Sequence, residues 1–217
     1  MKLQLLFLAL FLSGIHVIYS LTDPHDVAVL YALKDTWKNT LASWGHSEDP
    51  CGLPIWEGVT CNNSRVTALK LSTMDLEGKL ESDIGELTEL TSLTLTSNNL
   101  IGKILPSLSK LSKLYWLDIL DNMLIGPLPI STTMAPGLDL LLKAKHFHFN
   151  KNKLSGPIPA KLFRSNMKLI HIRLDRNALT GSLLMDPKAD QVLRINYKIK
   201  SHEDQRSNTM IGAIQLG

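Results

Sequence analysis

One spaced phrase, Leu-x-Leu-x-x-Asn-x-Leu-x-Gly, recurs along residues 66–181 and restricts the chain to one kind of architecture. Leu93, Leu95, Asn98, Leu100 and Gly102 return 24 residues later as Leu117, Ile119, Asn122, Leu124 and Gly126. The frame 24 residues earlier holds Leu69, Leu71, Met74, Leu76 and Gly78, with Met in place of Asn. Two further copies follow, Phe147, Phe149, Asn152, Leu154 and Gly156, then Ile172, Leu174, Asn177, Leu179 and Gly181. Each Leu-x-Leu reads as a short strand whose alternate side chains point the same way. No single copy can bury its own leucines, so neighbouring copies must stack and bury them as shared columns.

The asparagine has two amide donors and a carbonyl acceptor, which suits it to backbone groups inside a turn that water cannot reach. The glycine that follows permits a backbone conformation a side chain would hinder. Period and phrase together are those of the leucine-rich repeat. The expected fold is an α/β solenoid of about five 24-residue coils behind an N-terminal helical, disulfide-bonded cap. These repeated residues are read as scaffold.

The flanks divide the rest of the chain. Residues 1–20 read as a leader peptide, with Lys2, an apolar run over Leu3–Leu12 and a small residue at Ser20. That apolar run is shorter than the ~20 residues a membrane span needs, and no later stretch is longer, so the chain as written reads as extracellular. Residues 21–65 form the expected cap. Asp23 suits an N-cap, Pro24 the first helical position, and Asp26 the positive end of the helix dipole. Val27, Leu30, Leu33 and Trp37 share one helical face. Cys51 and Cys61, the only cysteines, form an even pair and are expected to close a disulfide. A redox or metal-binding pair is the alternative, but no His or Cys flanks them at ligand spacing. Asn62-Asn63-Ser64 is a glycosylation sequon at Asn62. The interval from Asn122 to Asn152 is 30 residues, and its six extra fall in Ser131–Lys145, where Leu138–Ala144 is expected to lengthen a convex-side helix. Residues 182–217 carry no copy of the phrase and are expected to form an irregular tail.

Charge excludes one large class of partner. Without Lys2 the chain has 22 basic residues against 20 acidic, so no nucleic acid is implied. Function should instead lie on the strand positions between the leucines, which face outward on the concave side. The first two rungs there are small and polar. The later rungs supply the candidate ligand-binding residues: Trp116, Asp118, Asp121, His146, His148, Lys151, His171, Arg173, Asp175 and Arg176. Trp and Arg dominate interface energetics, and the three histidines make any binding through them pH-dependent. The pair His146-x-His148 can approach a metal, but no third ligand stands at fixed spacing, so no metal and no cofactor are expected. The run His171-Ile172-Arg173-Leu174-Asp175-Arg176-Asn177 has the letters of a kinase catalytic loop in the wrong order. No catalytic residue is assigned, and no enzyme activity is expected of this chain.

At this point the residues resemble the extracellular part of plant leucine-rich repeat receptor-like serine/threonine kinases. Leu154-Ser155-Gly156-Pro157-Ile158-Pro159 has the plant-type repeat form. Trp44, Asp49-Pro50-Cys51 and Trp56-Glu57-Gly58-Val59-Thr60-Cys61 look like that family's N-terminal cap. Lys113-Leu114-Tyr115-Trp116-Leu117-Asp118, Ala135-Pro136-Gly137-Leu138-Asp139 and Lys145-His146-Phe147-His148-Phe149 look like one subgroup. The resemblance implies cell-surface signalling by a single-pass plasma-membrane protein. It implies binding of a peptide, a protein or a co-receptor ectodomain on the concave face. Relatives continue into more repeats, a membrane span and a kinase; this sequence shows none, so membrane attachment is implied only through a C-terminal region missing here. A secreted inhibitor similar to polygalacturonase-inhibiting proteins, and a non-functional receptor fragment, are the alternatives.

Overall fold

The computed structural model describes residues 21–164 and 166–180, with the backbone of a strand at 213–215. The leader, Gly181 and nearly all of the expected tail lie outside the described residues. Among the described residues no helix is long and apolar enough to cross a membrane.

The cap begins with helix α1 (Pro24–Thr36). Asp23 caps it as expected, its side chain accepting from the His25 N–H at 2.9 Å. Val29, Leu30 and Leu33 are buried, as is Trp37 just beyond the helix, whereas Val27 is only partly covered. Asp26 does more than complement the helix dipole. It is 0% exposed, accepts from Arg65 Nε and Nη2 at 2.9 Å each, and takes the Val66 N–H at 2.8 Å. A buried carboxylate needs such partners, and their positions are set only when α1 packs on the first coil. The cap tryptophans all donate to backbone carbonyls: Trp37 to Lys79, Trp44 to Glu57 and Trp56 to Ser47. Cys51 and Cys61 form the expected disulfide, with Cα atoms 5.8 Å apart. Closing so short a loop contributes roughly 2–4 kcal/mol by the chain-entropy estimate.

Two sheets run the length of the solenoid. The larger contains β1 (Val59–Asn62), β2 (Arg65–Lys70), β4 (Ser92–Thr94), β6 (Trp116–Asp118), β8 (His146–His148), β10 (His171–Arg173) and β12 (Ala213–Gln215). From β2 to β10 the strands are parallel, and Leu69, Leu93, Leu117, Phe147 and Ile172 stand in one register. That is the alignment the repeat implied. All five are 0% exposed. The coil with Phe147 and Phe149 carries Ala144 where its neighbours have Leu90, Leu114 and Leu169, so a small residue accompanies the large pair in one layer. The stretch expected to be irregular contributes β12, which pairs antiparallel with β10 at the sheet's edge. Backbone pairing has no side-chain period to betray it.

The smaller sheet was not anticipated. Its strands are β3 (Glu77–Lys79), β5 (Asn99–Lys103), β7 (Met123–Gly126), β9 (Lys153–Pro157) and β11 (Ala178–Thr180). Each coil is staggered against the next by two residues, so Gly78 pairs with Leu100, Gly102 with Leu124, Gly126 with Leu154 and Gly156 with Leu179. The four glycines all have positive φ, a region where a side chain is strained. Short 3-10 turns cover the third side, and Leu138–Leu140 is one of them, rather than the lengthened helix expected there. The inserted residues instead fold back as a loop. Asp139 accepts from the Ser131 N–H at 2.7 Å and from its hydroxyl. A Cβ on Gly137 would lie 2.3 Å from Ile130 C and Ser131 N, so only glycine permits that approach.

Each repeat asparagine ties its coil to the one before. Asn122 Nδ2 donates to Leu95 O of the preceding coil at 2.9 Å and to Ile119 O of its own at 3.2 Å, while its Oδ1 accepts the Leu100 N–H at 3.1 Å. Asn98, Asn152 and Asn177 repeat the pattern. The residue before each, Ser97, Asp121, Lys151 and Arg176, is left-handed, as is Thr73 before Met74.

Replacing Asn122 with Ala leaves the buried Leu100 N–H without its acceptor and removes one of two amide donors from Leu95 O and from Ile119 O, a loss of about 1–3 kcal/mol. Urea unfolding of the two proteins measures it; a difference below about 1 kcal/mol would show the ladder to be dispensable. A second expectation concerns acid. Burial raises the Asp139 carboxyl, but the two Ser131 bonds and Lys161 outweigh it and hold the group below the ordinary range. Its stabilising contribution is therefore present above the unfolded value of about 3.9 and lost as pH falls towards the folded one. Asp139→Asn should lower the melting temperature at neutral pH, with the gap closing below about pH 4. A gap that stays constant on acidification contradicts this.

Candidate functional site

Strands of three residues leave one outward position at each end of every rung. In the C-terminal half those positions bring together Trp116 and Asp118 on β6, His146 and His148 on β8, and His171 and Arg173 on β10. Strand spacing in a parallel sheet is about 4.8 Å, close enough for ring-to-ring contact between rungs. Trp116 stacks on His146 with centroids 4.2 Å apart, and meets His148 edge-on at 5.1 Å. Tyr115, just before β6, contributes a fourth ring, 5.5 Å from His146, and stays 46% exposed. An open depression of about 600 Å³ lies beside them, lined by Lys70, Thr91, Ser92, Thr94, Tyr115, Trp116 and Asp118. Tyr115 was not among the expected site residues. It precedes the strand, outside the alternation used to choose them.

The remaining expected residues do not join this cluster. Asp121, Lys151 and Arg176 occupy the left-handed turn after each strand, and Asp175 precedes the last of them. Asp121 pairs with Lys151 at 3.4 Å and accepts from Ser97 Oγ, which makes a separate charged border. Asn62 is exposed at the end of β1, as attachment of a sugar requires.

Asp118 and His148 are the surprise within the cluster. They were expected to be exposed, yet they retain 8% and 7% of their surface. The cause is lateral. Thr96 Oγ1 and the Leu120 N–H donate to Asp118 Oδ1, and the flanking rings close over His148. Burial raises the Asp118 carboxyl, but hydrogen bonds from His148, Thr96 and Leu120 outweigh it and hold the group below the usual range. An ionised carboxylate only accepts, so His148 Nδ1–H is the donor in the 3.0 Å contact to Asp118 Oδ2. In the neutral ring Nε2 then carries the lone pair, and it accepts from His171 Nδ1–H at 3.0 Å. These are the proton positions in which both rings are neutral and each contact has one donor. Burial first, then the neighbouring His148 and Lys145, keep His146 below the ordinary imidazole range. His171 is lowered by burial, then by His148, Arg173 and His146.

Comparison with known proteins places this architecture. Residues 23–62 match the leucine rich repeat N-terminal domain family, and residues 89–111 match the leucine rich repeat family. A chain of the BIR3–SERK2 complex from Arabidopsis thaliana superposes with a TM-score of 0.59 at 31% identity, covering 72% of this chain and 84% of that one. The chain belongs to the leucine-rich repeat ectodomains of plant receptor kinases. The ectodomain is also similar to that of the Arabidopsis receptor kinase HAESA, solved with an N-terminally extended IDA peptide hormone (TM-score 0.61, 29% identity, 72% of this chain and 26% of that one). A probable leucine-rich repeat receptor-like protein kinase of Arabidopsis thaliana is 38% identical over 227 residues, covering 81% of this chain. The ectodomain spans 24% of that relative's length.

The hydrogen-bond chain makes a spectroscopic expectation. Long-range proton–nitrogen spectra of labelled histidine should show His148 protonated at Nδ1 at neutral pH, and Asp118→Asn should shift it towards the Nε2 form. Finding Nε2 protonated in the unsubstituted protein would refute the assignment.

Proposed function

We propose that this ectodomain is a non-catalytic extracellular recognition module that binds a peptide or a partner ectodomain on the concave face of its larger sheet, around Trp116. The observation that carries the reading is the aromatic–imidazole cluster of Tyr115, Trp116 and His146 beside an open depression. Tryptophan and tyrosine offer large contact areas at little entropic cost, and Trp116 is already held by its stacking on His146. Lys70 and Asp118 put both signs of charge in the depression's lining, which favours a partner with a polar backbone and termini over a purely apolar one. HAESA's complex with a peptide hormone and the BIR3–SERK2 pair supply the two partner classes. The disulfide-bonded cap and the exposed Asn62 sequon fit a glycosylated protein of the secretory pathway, at the plasma membrane in full-length relatives.

Binding assays with a library of secreted plant peptides and with the SERK2 ectodomain test the reading. Trp116→Ala should weaken whichever partner binds by at least about 30-fold, the loss expected for a central aromatic anchor. Ile101→Ala, on the smaller sheet and 43% exposed, should leave it unchanged. A partner equally indifferent to both substitutions places the working surface elsewhere.

A further inference from the structure

Sequence spacing offers His146 and His148 as a pair without a third ligand. The parallel register supplies one, because β10 sets His171 directly beside His146. One ring nitrogen from each of the three histidines lies within 4.8 Å of the other two. We propose that His146, His148 and His171 form a binding site for a divalent transition-metal ion, with Zn²⁺ as its representative.

The geometry is close to what such an ion requires. With Zn–N bonds of 2.0–2.1 Å, the nitrogens of a tetrahedral site stand about 3.4 Å apart. His148 Nε2 and His171 Nδ1 are already 3.0 Å apart. His146 has to approach by up to about 1.4 Å to complete the set. Its Nδ1 is buried and finds no hydrogen-bond partner among the described residues. Asp118 holds His148 by Nδ1, leaving Nε2 free to ligate, in the carboxylate–histidine–metal arrangement that fixes ring orientation. Three imidazoles suit Zn²⁺, Cu²⁺ or Ni²⁺, whereas Mg²⁺ and Ca²⁺ prefer oxygen ligands. His146 and His171 are only half buried, so a fourth position remains open to water or to an anionic group of a bound partner.

The proton inventory balances. The ion takes the place of the His148–His171 hydrogen bond. His171 moves its proton from Nδ1 to Nε2, both rings stay neutral, and no proton is released. The site stands whether or not a peptide binds the same face, because the ion needs only these three rings.

Titration of the metal-free full chain with Zn²⁺ by calorimetry near neutral pH is the test. One ion should bind per chain. His171→Ala and His146→Ala should each weaken it by at least about 10-fold. His46→Ala, exposed on the cap, should change nothing. Melting curves confirm that the variants fold, and His171→Gln repeats the test with a side chain nearer in size. Cu²⁺ should also quench the indole stacked on His146, and Trp116→Phe should remove most of that quenching. The proposal fails if no saturable binding occurs up to about 100 µM Zn²⁺. It also fails if only one of the His146 and His171 substitutions, or neither, reduces the affinity.

Discussion

Everything in this solenoid depends on keeping buried backbone groups satisfied where the chain leaves each strand. The turn there cannot pair with itself, because the strand is three residues long and the chain must bend at once. One asparagine per coil meets the need by donating to the preceding coil and to its own, and by accepting an N–H from the preceding coil. Because these bonds cross between coils, they set rise and register together. The left-handed residue before each asparagine is the local cost, a conformation of limited favour outside glycine. The first coil does without the device. Met74 has the cap behind it rather than another coil, and its own N–H goes to Asn98.

A stack held in that register turns sequence distance into rungs. Residues 23–30 apart become neighbours, so His146 meets Trp116 on one side and His171 on the other. The apolar columns beneath are rigid and fully buried, which fixes where each outward side chain begins. The rings above them need only choose rotamers. A hydrogen-bond chain from Asp118 through His148 to His171 is the result, assembled from three strands with no residues contiguous in sequence.

Much of this was legible beforehand and some was not. The period located the buried columns and the larger sheet's register, which follow from side-chain direction, and the pairing of Asp23 with Pro24 located the helix cap, which follows from local hydrogen bonding. The cysteines left one possible pairing. The second sheet escaped notice because its pairing runs through backbone, and its Leu and Gly positions had already been explained by burial and turning. The loop after Ser131 was misjudged for a related reason: the run Leu138–Ala144 is apolar enough for a helix, but Asp139 turns inward to hold Ser131. Asp26 looked like a residue of the helix terminus until Arg65 and Val66 appeared beside it.

The candidate site divides along the same line. Sequence alone determined that Trp116, His146, His148 and His171 would share one face, since alternation and period place them between buried leucines. Tertiary structure alone decided how deep each would lie, that Tyr115 would join them, and that Asp121, Lys151, Asp175 and Arg176 would stand apart on the turns. The reason is physical. Which face a side chain occupies is a property of its own strand, whereas its exposure and partners are properties of the two strands beside it.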